Sequence, residues 1–220
     1  MTPATLPALT LRSVSAGYPG RPVLDQVSGV IPAGQSTALT GANGSGKSTL
    51  LGVLAGLHAP SGGEVVHSHE RPPAFVVQRS AVPDALPLTV RSTVAMGRWA
   101  RLGPWRRLRA RDRAVVAECL DLLGIAGLAG RQLGSLSGGQ RQRALIAQGL
   151  AQESDILLLD EPAAGLDAES QDAVAGILAA IAGTGVTVVQ ATHDPAAAAR
   201  CHQTLHLEDG RITAGPAAVR

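Results

Sequence analysis

Short apolar runs separated by glycine and proline fill the first third of the chain. Leu9 to Val14 and Gln35 to Leu39 predict strands on either side of a turn-rich segment holding Pro19-Gly20, Pro22 and Pro32. A glycine-rich loop follows, and Lys47 to Leu57 then predicts a helix. Glu64 to His69 and Ala74 to Gln78 predict two further short strands. From Ala81 to Gln148 the pattern is mostly helical, with loops at Pro83, Pro87 and Gly103-Pro104, and the expectation is an inserted helical subdomain.

Strand and helix alternate again beyond it. Ile156-Leu157-Leu158-Leu159 is a continuous apolar run, as a parallel strand buried on both faces requires, and it ends in Asp160-Glu161-Pro162. Ala173 to Val189 is apolar enough to suggest a membrane span. Gly183-Thr184-Gly185 divides it, leaving a helix from about Glu169 to Ala182 and a β-branched strand from Gly185 to Thr192. Leu205-His206-Leu207 and Arg211-Ile212, joined through Asp209-Gly210, predict a closing hairpin. The fold class is therefore α/β. A chain of 220 residues, 45% hydrophobic, supports one substantial core with an insertion. The expected division is a core of 1–80 and 149–220, with 81–148 as the insertion.

Composition excludes several classes. Cys119 and Cys201 lie far apart without C-x-x-C spacing, which argues against a disulfide framework or a zinc ribbon and fits a reducing cytoplasm. Met1 to Arg12 lacks the basic stretch and apolar run of a secretory signal. A net charge of +2 accommodates a membrane-facing or nucleic-acid-facing patch without demanding either. Of 19 basic residues all but Lys47 are arginine, so position 47 calls for a compact ammonium.

Gly41-Ala42-Asn43-Gly44-Ser45-Gly46-Lys47-Ser48 fits the phosphate-loop pattern G-x-x-x-x-G-K-[ST], between a predicted strand and a predicted helix. Glycines let the backbone N–H groups and the helix N-terminus face β- and γ-phosphates; Lys47 adds a point charge, and the Ser48 hydroxyl can ligate Mg²⁺. At the end of the most apolar strand, Asp160 can hold Mg²⁺ through water, and Glu161 can orient and deprotonate an attacking water. Leu136-Ser137-Gly138-Gly139-Gln140 opens another helix and makes a second anion-binding N-terminus. One γ-phosphate cannot easily reach two such termini of a single chain, so the economical arrangement places them on opposite protomers of a head-to-tail homodimer.

These elements, in this order, resemble the ATP-binding subunit of an ABC transporter, and the likeness covers Tyr18 to Ile212. It implies a P-loop NTPase (RecA-like) core with an N-terminal antiparallel β-subdomain and the helical insertion, working on ATP with Mg²⁺. Under it Tyr18 matches the aromatic that stacks on adenine, and Gly41 to Thr49 match the Walker A loop. Gln78 matches the glutamine that contacts Mg²⁺ and couples to the membrane subunit. Ser137, Gly138, Gly139 and Gln140 match the signature, Asp160 and Glu161 the Walker B pair, Asp167 the D-loop and His193 the switch histidine. Implied partners are integral-membrane permease subunits and, indirectly, a periplasmic or lipid-anchored solute-binding protein, with the chain peripheral on the cytoplasmic face and nucleic acid not expected. Val77 stands where many relatives have proline, and Ala163-Ala164 replaces a commoner threonine-rich pair; both are neutral changes that predict tuning without loss of hydrolysis.

With no fused span and no regulatory domain after Arg220, the expectation is an importer. Gln78-Arg79-Ser80, Leu88-Thr89-Val90, Met96-Gly97-Arg98 and Arg131-Gln132-Leu133-Gly134 resemble the zinc and manganese uptake group. Other small-solute importers, for haem or siderophores, and a non-transport cell-division ATPase are the alternatives. Arginines 98, 101, 106, 107, 109, 111 and 113 crowd together around Trp99 and Trp105, either as a solvated helical face or as a surface for anionic lipid or a permease loop. His67 and His69 alternate on a predicted strand and offer two metal donors without a third.

Overall fold

Leu205 and Leu207 alternate inward in one strand while Ile156 to Leu159 are buried without a break in another, and both patterns occur in the computed structural model, which describes residues 7–78, 87–103 and 105–214. Arg79, Ser80, Pro83 and Pro104 of the expectations above lie outside the described residues. β1 (Pro7–Tyr18), β2 (Arg21–Pro32) and β4 (Gly62–His67) form a three-stranded antiparallel sheet in the order β2-β1-β4. The second sheet has the order β5-β6-β7-β3-β8-β9, with β3 at Ser36–Thr40, β5 at Ala74–Val76, β6 at Ile156–Asp160, β7 at Thr187–Ala191, β8 at Gln203–Glu208 and β9 at Arg211–Ala214. Pairs β6–β7, β7–β3 and β3–β8 are parallel, and β9 closes the edge antiparallel to β8.

The segment expected to be turn-rich is largely β2, a strand of 12 residues. Its prolines fall near its ends, Pro22 opposite Gly17 and Pro32 opposite Pro7, and β2 is an edge strand. An edge strand tolerates the missing N–H that would break a central ladder. The strand expected through His69 stops at His67, so the two histidines do not alternate on one strand, and the strand from Ala74 ends at Val76. Asp209 and Gly210 both adopt positive φ, 45° and 74°, as a two-residue hairpin turn requires.

α1 (Lys47–Leu54) is buried on every side except Ser48. Leu50, Leu51 and Leu54 join one core with Leu9, Val14 and Ile31 of the antiparallel sheet and Ile156, Leu158 and Val189 of the parallel one. A helix whose last five residues are apolar or glycine belongs in such a layer. Ala55 and Gly56, the latter at φ 72°, end it before the expected Leu57.

Contacts divide the chain into two compact units: residues 1–75, 155–161 and 178–220, and residues 76–154 and 162–177. The second unit holds α2 (Val90–Met96), α3 (Trp99–Leu102), α4 (Ala110–Leu122) and α5 (Gly138–Leu150). The helix α6 (Ala168–Gly183) begins in it, and α7 (Pro195–Ala199) belongs to the first unit. The stretch Ala173 to Val189 is thus the end of α6 and β7, and no described helix is long and apolar enough to cross a membrane.

Within the second unit α2 and α5 pack at close range across Gly97, where a Cβ would lie 2.2 Å from the Gln148 carbonyl oxygen. Leu88-Thr89-Val90 pairs with Arg131 to Leu133 through Val90 N–H to Arg131 O (2.9 Å) and Leu133 N–H to Leu88 O (2.7 Å). Arg98 does not belong to a solvated face, because it is fully buried. It donates to Asp112 (3.1 and 3.2 Å) and to the Ala151 carbonyl (2.6 Å), and its guanidinium lies 2.8 Å from Glu153. The Arg109 backbone N–H and the Arg98 guanidinium hold the Asp112 carboxyl below its usual range against the opposing pull of burial. Cys119 on α4 and Cys201 are free, and burial pushes the Cys119 thiol up to about 11.

Gly97→Ala is expected to cost about 1–3 kcal/mol in urea unfolding, because the neighbour is rigid backbone. Gly176→Ala, at a helical position on α6 with nothing within 4 Å, is expected to stabilise by about 0.5–1 kcal/mol. An unchanged midpoint for Gly97→Ala would mean that α2 and α5 separate freely.

Candidate functional site

Parallel pairing in the order β6-β7-β3 places the carboxyl ends of three strands side by side, at the edge where open α/β sheets bind ligands. β3 runs into the loop 41–46 and α1, β6 into Asp160 and Glu161, and β7 into Thr192 and His193. These expected residues therefore meet within the first unit.

The loop owes its shape to glycine. Gly41, Gly44 and Gly46 take φ of 146°, 84° and 107°. A Cβ at Gly41 would lie 2.1 Å from the Leu207 carbonyl, and one at Gly46 2.9 Å from Leu24 Cδ2. The backbone curls so that Ser45 N–H reaches Ala42 O (3.2 Å), while Ala42, Asn43 and Gly44 stay exposed. Lys47 is 5% exposed and its Nζ donates to Gly41 O (2.8 Å) and Ala42 O (3.1 Å), so the ammonium sits inside the ring of the loop. The Ser45 hydroxyl is buried without a hydrogen-bond partner. A buried orphan hydroxyl beside a buried cation suits an anionic oxygen, the group that a polyphosphate offers. Ser48 is exposed at the first turn of α1, and Thr49 is buried behind it.

Asp160 ends β6 and accepts a hydrogen bond from the Ser48 hydroxyl. Burial, reinforced by the neighbouring Glu161 charge, raises its carboxyl above the ordinary range in spite of Ser48 and Lys47. A carboxylate that burial disfavours, touching a hydroxyl, is a pair of hard oxygen donors suited to Mg²⁺. Glu161 adopts φ 47°, a left-handed conformation that costs about 1–2 kcal/mol for a residue with a side chain. Its N–H donates to Ala191 O (3.2 Å), and its carboxylate, 19% exposed, lies 3.4 Å from His193 Nδ1. Thr192 secures the turn beyond, its N–H on Leu39 O (3.0 Å) and its hydroxyl accepting from Asp194 N–H (3.0 Å).

Tyr18 ends β1, half exposed, with its ring edge-on to His58 at 5.5 Å and 79°. Ser15, Gly17, Tyr18, Arg21, Val23 and Leu24 line a depression of about 780 Å³. Val23 and Leu24 are the residues that abut Gly46, so the depression borders the phosphate loop. Sequence reasoning missed His58, and nothing in the pattern around it singles it out.

The remaining expected residues belong to the second unit. Ser137 N-caps α5: Gln140 N–H donates to its hydroxyl (3.3 Å), and Ser137 N–H donates to Gln140 Oε1 (3.2 Å). Gly138 and Gly139 form the first turn, and a Cβ at Gly139 would lie 2.5 Å from Ser170 Oγ. Ser170 in turn donates to Asp167 through its N–H (2.8 Å) and its hydroxyl (3.0 Å), which holds the Asp167 carboxyl below its usual range. Ser170, absent from the expectations, thus joins the N-terminal tip of α5 to the Asp167 turn; Asp three residues before Ser was the readable cap signal. Gln78 is exposed and follows β5 by two residues. His69 pairs with Asp155 at 3.6 Å, burial lowers the pKa of His67, and no group of three metal-ligating side chains occurs among the described residues.

A family profile described as ABC transporter matches residues 24–164. The hemin import ATP-binding protein HmuV of Streptomyces coelicolor is 42% identical over 209 residues, 89% of this chain and 73% of its own length. The zinc transport system ATP-binding protein TroB of Treponema pallidum is 36% identical over 222 residues, covering 98% of this chain and 84% of its own. Among solved structures, an ABC transporter named as of metal-chelate type, in an inward-facing conformation, superposes with a TM-score of 0.85 at 34% identity over 93% of this chain and 81% of that one. With its P-loop core and this match across more than half its length, the chain belongs to the ABC transporter family, as an ATP-hydrolysing subunit.

Proposed function

We propose that this chain hydrolyses ATP between two head-to-tail copies and so drives import of a divalent metal ion, zinc or manganese, through a separate integral-membrane permease served by a periplasmic or lipid-anchored solute-binding protein. The observation that carries the catalytic part is the convergence of Lys47, Ser48, Asp160 and Glu161 on one sheet edge. The whole chain acts as a single ABC ATPase domain, with 1–80 and 149–220 as its catalytic part, 81–148 as the helical part bearing the signature, and a peripheral place on the cytoplasmic face of the membrane.

The residues divide the work. Tyr18 stacks on the adenine, and the N–H groups of 41–49 with the Lys47 ammonium take the β- and γ-phosphates. Ser48, Asp160 and Gln78 would hold Mg²⁺, whose charge offsets that of the phosphate oxygens when bound. Glu161 accepts the proton of the attacking water, and His193, 3.4 Å from it, steadies the carboxylate and donates toward the γ-phosphate. Ser137, Gly138, Gly139 and Gln140 present the N-terminus of α5 to the nucleotide of the other copy, with Asp167 in the same contact.

The metal reading is supported by the zinc transport relative, which aligns with 98% of this chain. The hemin import relative is more identical over a shorter span, which favours hemin as the second reading. In proteoliposomes containing this chain and its permease, ATP is expected to drive uptake of radiolabelled zinc or manganese; accumulation of hemin alone would overturn the metal reading.

Glu161→Gln is expected to retain ATP binding and lower turnover by about 10²- to 10⁴-fold, measured as phosphate release. Normal hydrolysis by this variant would remove Glu161 as the base. Ser137→Ala should abolish turnover while leaving nucleotide affinity of the monomer unchanged in a fluorescent-nucleotide titration. Weakened monomer binding would contradict the cross-protomer role.

A further inference from the structure

The arginine-rich stretch of the second unit splits once its contacts are known. Arg98 is internal, whereas Arg101, Arg106, Arg107, Arg109, Arg111 and Arg113 are exposed. Arg101 and Arg111 lie 3.4 and 3.7 Å from the same Glu153 carboxylate, which brings α3 and the start of α4 to one place with the 105–109 connection between them. Glu153 is shared with Arg98, and Asp112 is taken by Arg98 and by the cap of α4. Against six exposed guanidiniums, these nearby carboxylates leave a strongly positive surface.

Local stability does not ask for this arrangement. Arg109, Arg111 and Arg113 stand at the N-cap and in the first turns of a 13-residue helix, where the macrodipole is already positive and acidic residues would be favoured. Trp105 is 95% exposed and Trp99 42%, so large apolar rings stand in water among the guanidiniums. Features that break local rules in this way mark surfaces that function elsewhere. Two exposed rings dispersed among guanidiniums, with no other large apolar side chain exposed beside them among the described residues, fit a layered interface of apolar depth and charged surface. Tryptophan with arginine beside it is the pairing that settles at the headgroup level of a bilayer, ring in the interface and guanidinium on phosphate.

We propose that this surface binds an anionic phospholipid layer directly, with Trp99 and Trp105 at headgroup depth and Arg106 and Arg107 on lipid phosphates. The contact needs neither nucleotide nor permease. ATPase activity is read separately, so a lipid-binding chain without hydrolysis would sink the proposed function and leave this surface standing.

The test uses the full chain and vesicles of phosphatidylcholine alone or mixed with phosphatidylglycerol. Trp99 and Trp105 are the only tryptophans in the sequence, so intrinsic emission reports this surface directly. Expected results are co-sedimentation with the anionic vesicles, a blue shift of emission, and loss of both as salt is raised. Arg106→Glu with Arg107→Glu should reduce partitioning by roughly tenfold or more, with unchanged circular dichroism and basal ATPase. Trp105→Ser should weaken binding without changing its salt dependence. Equal binding to neutral vesicles, an unmoved emission spectrum, or full binding by the double variant would overturn the proposal. So would failure to bind any vesicle while the same double substitution abolishes retention by the detergent-solubilised permease, a result that assigns the surface to an acidic protein.

Discussion

A buried ammonium carries a desolvation penalty of several kcal/mol unless its hydrogens are met, and here the backbone carbonyls of Gly41 and Ala42 meet those of Lys47. That arrangement needs a loop able to fold back over its own lysine, which in turn needs positive φ at three glycines. It also needs the loop to leave the middle of a parallel sheet, so that neighbouring strands end where the loop opens. Lysine suits the place because its charge is compact and its rotatable donors can meet two converging carbonyls. A chain that otherwise uses arginine throughout makes its one exception there.

Costs collect at the same edge. Asp160 is a carboxyl raised by burial, Glu161 holds a left-handed backbone, and the Ser45 hydroxyl is buried without a partner. Each is a local cost of the fold, of the kind that collects at functional sites. The core of α1 between two sheets is what over-determines them, since Leu50, Leu51 and Leu54 anchor the helix that begins at Lys47.

Much of this was legible in the sequence because glycine spacing, strand apolarity and a strand-end carboxylate pair each have a local physical cause. Asp160, Glu161 and the 41–48 loop could be read without knowing any tertiary contact. β2 was not legible, because its prolines look like turn signals until its edge position is known. Arg98 was read together with its exposed neighbours, since no local pattern distinguishes a guanidinium that two distant carboxylates draw inward. His58 was missed for the same reason, its partner Tyr18 being far away in sequence, whereas Ser170 had a readable cap partner in Asp167 and only its contact with Gly139 was hidden. The segments Leu88 to Val90 and Arg131 to Leu133 carry a likeness to metal importers, yet in the fold they hold each other, so part of that likeness is internal architecture.

The absence of a side chain at Gly139 brings α5 against Ser170, and Ser170 against Asp167. No compressible methyl or flexible stem separates the three. The turn at Asp167 and the tip of α5 are therefore held one serine apart, with no slack side chain between them. A side chain at position 139 would wedge these parts asunder, so the helix tip and the turn keep their spacing only while that position stays bare.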